Sequence, residues 1–270
     1  MSGTLERLAK RIAAFDGVAP LNEASLLAIA ADDEARVDLR IESAGEVVAA
    51  AYAPADAPVE AFVDPRFRRG GLGTRLVLSL RADGERRFWA HGDLPSAQAL
   101  ARATGLRAAR TLLILRRERA APPPDRVPEG ITIRSFTDAD AEAVVAVNAR
   151  AFTDHPEQGA MDLTDFRRRT GADWFDPAGL FVAEREGRIV GFHWTKVEDG
   201  CGEVYVVGVD PSEHGCGLGT ALTARGLRHL DALVPVVDLY VEADNAAALT
   251  LYRNLGFTEH ARDTLYEATP

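Results

Sequence analysis

The chain has only two cysteines, Cys201 and Cys216, in 270 residues. That is too few for a disulfide framework, and neither lies in a Cys/His cluster with zinc-ligand spacing, so no metal is expected. Long apolar runs are missing too. No window approaches the roughly 18 uninterrupted apolar residues of a membrane span. The opening Met-Ser-Gly-Thr-Leu-Glu-Arg-Leu-Ala-Lys-Arg mixes charges through what a secretory leader would keep apolar. A cytoplasmic protein, acting as a monomer without a membrane, is the expectation. Positive charge is in deficit: 31 Lys and Arg stand against 41 Asp and Glu, a net charge of −10. Such a surface does not blanket phosphates, which argues against a nucleic-acid partner and favours small-molecule chemistry. What is present is a globular composition, 47% hydrophobic and 27% charged, on a chain long enough for about two domains.

The chain also repeats itself. Val63-Asp64-Pro65-Arg66-Phe67-Arg68-Arg69-Gly70-Gly71-Leu72-Gly73-Thr74 matches Val209-Asp210-Pro211-Ser212-Glu213-His214-Gly215-Cys216-Gly217-Leu218-Gly219-Thr220 in register. Between the copies, the segment from Ala120 to Gly130 carries Pro122, Pro123, Pro124 and Pro128. Prolines fix φ and remove backbone donors, so this segment reads as an extended spacer. Two α/β domains are therefore expected at 1–118 and 131–270, joined by a proline-rich linker over 119–130.

Elements around the repeats recur in the same order. In the second half a helix is expected over 139–151, from the spacing of Ala143, Val144, Val147 and Ala151. A hairpin pairs 181–184 with 189–194 around Arg185-Glu186-Gly187-Arg188, and Glu203–Val209, rich in Val and Tyr, reads as a buried central strand. After the glycine loop come a helix over 218–230, a strand over 236–241, a helix over 245–255 that stops at Gly256, and a final strand. The first half offers strands at 37–41 and 46–52 around Ala44-Gly45, a strand ending at Val63, and helices from Leu72 and from Ser96 to Gly105.

A strand, a glycine loop and a helix together form an anion site. The glycines let successive backbone N–H groups face one anion, and the helix adds unpaired donors and its positive end. It is not a P-loop, because no Lys-Ser or Lys-Thr follows the glycines. Nor is it the dinucleotide fingerprint, because Leu222 stands where a third Gly or Ala is needed. Glycines that merely make tight turns are the alternative, weakened by the recurrence of the loop in the same context.

These residues resemble a known family. Arg68-x-x-Gly71-x-Gly73, and His214-x-x-Gly217-x-Gly219 with His where Gln or Arg is usual, look like the acyl-CoA pyrophosphate loop of the GNAT acetyltransferases. Asn245, Ala247-Ala248-Leu249 and Leu251-Tyr252-Arg253-Asn254-Leu255-Gly256-Phe257 look like that family's later motif. The tandem arrangement, Asp16-Gly17-Val18-Ala19-Pro20, His155-Pro156-Glu157-Gln158-Gly159 and the run Glu203–Pro211 resemble more narrowly the branch that acetylates the cysteinyl amine of a glucosaminyl-inositol (Cys-GlcN-inositol).

The resemblance implies two GNAT-like domains, each a mixed, largely antiparallel sheet flanked by helices, with acetyl-CoA as cosubstrate. It implies that acetyl-CoA is bound by Val207, Gly208, Val209, His214, Gly215, Cys216, Gly217, Leu218, Gly219, Thr220, Asn245 and Ala248. In the first half the matching residues are Ala61, Val63, Arg69, Gly70, Gly71, Leu72, Gly73 and Thr74. Glu23, Glu157, Lys196, Glu203 and Tyr240 would contact the acceptor.

Acetyl transfer from a thioester to an amine needs a neutral nitrogen at the carbonyl, stabilisation of the developing oxyanion and a proton for the departing thiolate. An α-amine titrates near ~8, so freeing it at neutral pH costs about 1 kcal/mol and positioning dominates. On periodicity alone Tyr252 shares a stripe with Ala248, Leu251 and Leu255 and reads as core; the resemblance makes it the general acid. Glu203, by the same likeness, takes the amine proton or holds the ammonium; as a bare strand-end charge it would only be solvated. Gly208 inside a strand fits a bulge or a close packing contact. Cys216 has no His/Asp partner pattern and reads as a spectator, and Trp174 and Trp194 as core or pocket wall.

The halves are not equivalent. Aligning Gly105 with Gly256 puts Ala101 at the place of Tyr252 and Leu94 at that of Asn245, so the first domain is expected to bind acetyl-CoA without catalysing transfer. Two other functions stay open on the residues: a tandem acetyltransferase for a peptide amino terminus, an aminoglycoside or a polyamine, and a non-catalytic acyl-CoA sensor.

Overall fold

The computed structural model describes residues 2–121, 123–124, 126–153 and 156–269. Its contacts divide into two units, Met1–Leu113 with Ala261–Pro270, and Ile114–His260. In chain order the helices are α1 (Ser2–Asp16), α2 (Glu23–Ala31), α3 (Leu72–Ala82), α4 (Pro95–Ala103), α5 (Ala141–Ala151), α6 (Pro156–Gly159), α7 (Leu163–Thr170), α8 (Leu218–Leu233) and α9 (Ala246–Asn254). The strands are β1 (Ala35–Ser43), β2 (Glu46–Pro54), β3 (Val59–Val63), β4 (Arg87–Ala90), β5 (Leu106–Glu118), β6 (Thr132–Ser135), β7 (Leu180–Arg185), β8 (Arg188–Glu198), β9 (Cys201–Val209), β10 (Val236–Glu242) and β11 (Thr258–Ala268). Each unit is α/β with a mixed sheet flanked by helices, as the sequence predicts. Among the described residues no helix is long and apolar enough to cross a membrane.

In the first unit the strand order is β1-β2-β3-β4-β11. β2 is buried almost end to end because both faces are covered. Ala49, Ala51 and Ala53 pack with Leu76, Val77, Leu80 and Ala101 of α3 and α4, while Ala50 and Tyr52 pack with Leu5, Leu8, Ile12 and Ile29 of α1 and α2. The C-terminal strand expected inside the second domain belongs here instead. Thr264, Leu265, Tyr266 and Glu267 pair antiparallel with Ala90, Trp89, Phe88 and Arg87, so the division falls within β5 and β11 and not at the proline-rich segment. The physical reason is β4: a four-residue strand whose far edge needs a partner.

In the second unit the order is β10-β9-β8-β7-β6, with residues 114–118 of β5 beside β10. The hairpin turns carry positive φ at both central residues, Glu186 and Gly187 between β7 and β8, Asp199 and Gly200 between β8 and β9. That is the type I′ geometry matching strand twist. Helices cover both faces of this sheet. Val144 and Val147 of α5 pack with Phe192, Trp194 and Val206, and Leu218, Ala221 and Leu222 of α8 pack with Val207 and Val209.

Candidate active site

The second unit's glycine loop begins where β9 ends. Asp210 caps a 3-10 turn over Pro211–Glu213, accepting from the Ser212 backbone N–H at 3.0 Å and hydroxyl at 2.7 Å and from Arg150 Nε at 2.7 Å. The Ser212 bonds foremost, then Arg150, hold its carboxyl down at about 2. The chain then turns through Gly217, the N-cap of α8 at φ +89°, a conformation that strains any L side chain. The first α-helical bond of α8 runs from Ala221 N–H to the Gly217 carbonyl. The N–H groups of Leu218, Gly219 and Thr220 precede it and lie at the positive end of a 16-residue helix. These parts make an anion cradle. Leu218 lends only its backbone, since its side chain is buried in the core. His214 folds back, Nε2 lying 3.3 Å from the Val209 carbonyl, and the exposed Cys216 thiol donates to the Glu213 carbonyl at 3.0 Å.

Behind the loop the strands separate. β9 and β10 are parallel and pair at Gly202↔Val237, Glu203↔Asp238 and Val204↔Leu239. There the ladder ends, while β9 continues to Val209 and β10 to Glu242. The wedge between them exposes the backbone of a strand that regular pairing would bury.

A bulge decides which side chains flank this wedge. The register of β8 with β9 slips between Trp194↔Val206 and Thr195↔Val204, leaving Tyr205 as the extra residue. The bulge is therefore at Tyr205 and not at Gly208, where a Cβ would stand 2.4 Å from Phe192 Cε1, so Gly208 serves close packing. On β8 the alternation is unbroken: His193 Nδ1 donates to the Leu222 carbonyl of α8 at 2.7 Å, whereas Trp194 packs towards α5. Beyond the slip Val207 and Val209 face α8. Before it Glu203 stands opposite Lys196, and Tyr205 packs with Trp194 on the α5 side. Val207 and Val209 thus share the face of α8 and its glycine loop, and Glu203 lies on the other.

The structure brings Lys196, Glu203 and Tyr205 to that second face. Lys196 is buried, with Nζ 3.0 Å from Glu198 Oε2 and 5.0 Å from the Trp174 ring centroid. Trp194 is fully buried, while Trp174 is half-buried at the rim of the same cluster. Tyr240 is 52% exposed on β10. Glu23 opens α2 in the first unit and is exposed. Glu157 is in α6, but its side chain, like residue His155, lies outside the described residues. Sequence reading missed Arg169, whose Nη1 donates to the Tyr205 hydroxyl at 2.8 Å. No periodic or motif signal marks it.

Tyr252 sits on α9, whose N-cap Asn245 accepts from the Ala248 N–H at 3.0 Å. The Ala248 donor is therefore already engaged. The Tyr252 ring meets Phe257 edge-on at 5.9 Å, and burial pushes its phenol up to about 12. Among the described residues no group of three His, Cys, Asp or Glu side chains could hold a metal.

The first unit carries the same construction. β3 and β4 are parallel and pair at Val59↔Phe88 and Glu60↔Trp89. Asp64 caps the following turn as Asp210 does, and Gly71 is the αL N-cap of α3. Arg68 Nε reaches the Val63 carbonyl at 2.9 Å, the counterpart of the His214 contact, and its other nitrogens bind Asp16 at 2.8 and 2.6 Å. A cavity of about 360 Å³ opens here. Ala61, Val63, Arg69, Gly71, Leu72, Gly73 and Thr74 line it, and Gly70 does not. Ala101 is buried on α4, and Leu94 caps that helix without a side-chain bond. Unforeseen in the sequence is a charge cluster at its edge, with His91 between Glu60 at 2.6 Å and Asp263 at 2.9 Å.

Comparison with known proteins agrees with this construction. Residues 144–257 match the acetyltransferase (GNAT) family. A mycothiol acetyltransferase of Thermomonospora curvata is 50% identical, over 97% of this chain and 92% of that protein. A GCN5-related N-acetyltransferase structure from Sphaerobacter thermophilus aligns with TM-score 0.72 at 26% identity, covering 99% of this chain and 92% of that one. A tandem GNAT protein from the clavulanic acid biosynthesis pathway aligns with TM-score 0.71 at 21% identity, over 100% and 95%, a likeness of fold.

Proposed function

The chain belongs to the mycothiol acetyltransferase family of GNAT enzymes and is an N-acetyltransferase of mycothiol biosynthesis; we propose that it moves acetyl from acetyl-CoA to the cysteinyl amine of Cys-GlcN-inositol by direct attack. The observation that carries this reading is the bulged β9, which separates a phosphate cradle on the α8 face from a carboxylate on the other, with an open wedge between. A thioester threaded through the wedge meets an amine arriving from the Glu203 side.

Each residue then has a task. The N–H groups from Gly215 to Thr220 hold the diphosphate of acetyl-CoA, and the backbone of Val207–Val209 lines the pantetheine arm and the acetyl carbonyl. Glu203 binds the ammonium and takes its proton, directly or through water. Since an amine near pKa ~8 gives up its proton for about 1 kcal/mol at neutral pH, no stronger base is needed. Tyr252 keeps its proton across physiological pH, because its phenol titrates near 12, and gives it to the departing thiolate. Lys196 and Tyr240 contact the acceptor. Cytoplasmic acetyl-CoA is the reason for placing the reaction in that compartment, with the protein as a monomer.

The first unit, in this proposal, binds acetyl-CoA without turning it over, since Ala101 stands where the acid is needed. Counting acetyl-CoA per full chain by equilibrium dialysis tests it. Two equivalents falling to one in Arg69→Glu support the reading, and one equivalent unaffected by that change rejects it. The main reaction is tested by incubating acetyl-CoA with a panel of amines, including Cys-GlcN-inositol, an aminoglycoside and a polyamine, and measuring free thiol and product mass. Preferred turnover of another amine, or none of Cys-GlcN-inositol, rejects the assignment.

A further inference from the structure

The face that carries Glu203 also carries a cation, Arg169, for which no ion pair is found among the described residues. Arg169 lies near the end of α7, half-buried. Among the described residues its hydrogen bond and its ring contact are both with Tyr205: Nη1 to the hydroxyl at 2.8 Å, and the guanidinium carbon 5.7 Å from the ring centroid. Other arginines of this unit behave differently. Arg116, Arg117, Arg134, Arg150 and Arg185 each bind an Asp or Glu at 2.6 to 2.9 Å, as a chain with ten excess negative charges allows. A guanidinium offers five N–H donors, and the phenol takes one. Tyr205 itself is the extra residue of the bulge, braced edge-on by Trp174 at 5.1 Å and by Trp194 at 5.5 Å.

Together these groups present an aromatic wall and spare N–H donors on the face that carries Glu203. The chemistry selects a ligand with two ends. Its ammonium belongs at Glu203, since Arg169 and Lys196 would repel it. Its other end needs oxygen lone pairs for the guanidinium and a ring whose C–H face can lie on an aromatic wall. A polyhydroxylated ring fits that description. We propose that Arg169 is a specificity-determining residue for the acceptor: held against Tyr205 at the bulge, it hydrogen-bonds ring hydroxyls and so sets which amine reaches the thioester. This rests on the acceptor reading above.

The test uses the full chain and two acceptors, Cys-GlcN-inositol and cysteine methyl ester, which has the same amine and thiol without a ring. In Arg169→Met the ratio of kcat/KM for the first over the second falls about ten- to a hundredfold, as expected for losing hydrogen bonds from a charged donor. The fall resides in the acceptor KM, and the KM for acetyl-CoA does not move. Arg169→Lys keeps the charge without the planar fork and recovers the ratio only in part. Tyr205→Phe keeps the ring, removes the anchoring hydroxyl and lowers the same ratio. A wild-type preference for the ringed acceptor that survives intact in Arg169→Met overturns this proposal alone. A wild type that turns over both acceptors equally overturns the acceptor reading, and the proposal with it.

Discussion

Replacing Tyr252 by Phe separates a proton donor from a packing residue. The ring contact with Phe257 at 5.9 Å is kept, and only the hydroxyl is lost. The energetics of the donor follow from its surroundings. A thiolate in water titrates near ~8.5, so transfer from a phenol raised to about 12 spans about 3.5 units, or about 5 kcal/mol uphill. Burial, however, opposes any anion at that place. A thiolate formed beside Tyr252 is raised by the same exclusion of water, and the gap returns towards the reference difference of ~1.5 units, about 2 kcal/mol. That is accessible within a turnover, and general acids of this kind contribute about 10²- to 10⁴-fold.

Tyr252→Phe is therefore expected to lower kcat by about 10²- to 10⁴-fold, with little change in the KM for either substrate. The assay is release of CoA thiol at saturating acetyl-CoA and acceptor, read with a chromogenic disulfide. The pH profile gives a second reading. The acid form exists below the phenol pKa, so with that pKa near 12 the wild-type kcat shows no alkaline decline through pH ~10. A kcat in the Phe variant within about threefold of wild type would remove Tyr252 from the chemistry and return it to the core.

Gly217→Ala should raise the KM for acetyl-CoA about 5- to 30-fold more than Gly219→Ala. The first forces a side chain onto φ +89°, a strain of about 1–2 kcal/mol, whereas a Cβ at Gly219 only touches Leu251 and Val209 at 3.8 Å. Gly208→Ala should cost about 1–3 kcal/mol in urea unfolding, because its Cβ would lie 2.4 Å from Phe192; an unchanged midpoint would contradict the close packing. Stability should fall as pH rises above neutrality. Burial alone would lower the His91 pKa, but the Asp263 and Glu60 bonds outweigh it and hold it at about 9. A raised folded-state value stabilises fully below ~6.5 and is lost through pH ~9, up to about 3 kcal/mol, and His91→Gln should flatten that dependence in pH-resolved denaturation. A fragment ending at residue 118 should fold poorly, because it lacks the Leu265 and Tyr266 that complete the first sheet. Adding a peptide of residues 258–270 should restore helix signal and protection of β4 amides, and equal stability without it would refute the role of β11.

Local physics made much of this fold legible. The repeat, the glycine loops and the caps at Asn245 and Gly217 are set within a few residues, so their pattern survives in the sequence. The bulge was less accessible. Gly208 advertised a break in the strand, but the slip falls at Tyr205, an ordinary strand residue whose displacement appears only once Trp194, Thr195 and β9 are in register. Pairing partners were invisible for the same reason. Alternation in β11 says that one face is buried and nothing about which edge receives it, and the strand completes the sheet of the unit at the other end of the chain. Arg169 joins Tyr205 across 36 residues of sequence, and His91 joins Asp263 across 172. No short window contains either pair.

The two units share a scaffold and differ in what lies at its wedge, which bears on how one chain keeps two such glycine loops. In the second unit β9 bulges, and the face away from α8 presents Glu203 and Tyr205 at the wedge. In the first, β3 pairs with β2 from Ala49↔Val63 to Tyr52↔Glu60 without a slip, and Glu60, on the face that packs with α1 and α2, is 1% exposed. A carboxylate so placed must be compensated, and His91 with the Asn22 N–H does so. The compensation also fixes the chemistry. A carboxylate bound to a histidine that stays protonated to about pH 9 is a poor base for an incoming ammonium, and with Ala101 in place of a phenol there is no acid for a leaving thiolate. On the proposal that both loops hold acetyl-CoA, a carboxylate engaged by His91 and the lack of a phenol are thus enough to turn one of two similar wedges from a reaction site into a binding site. Restoring a phenol by Ala101→Tyr should not restore turnover there, because the carboxylate would still be bound by His91.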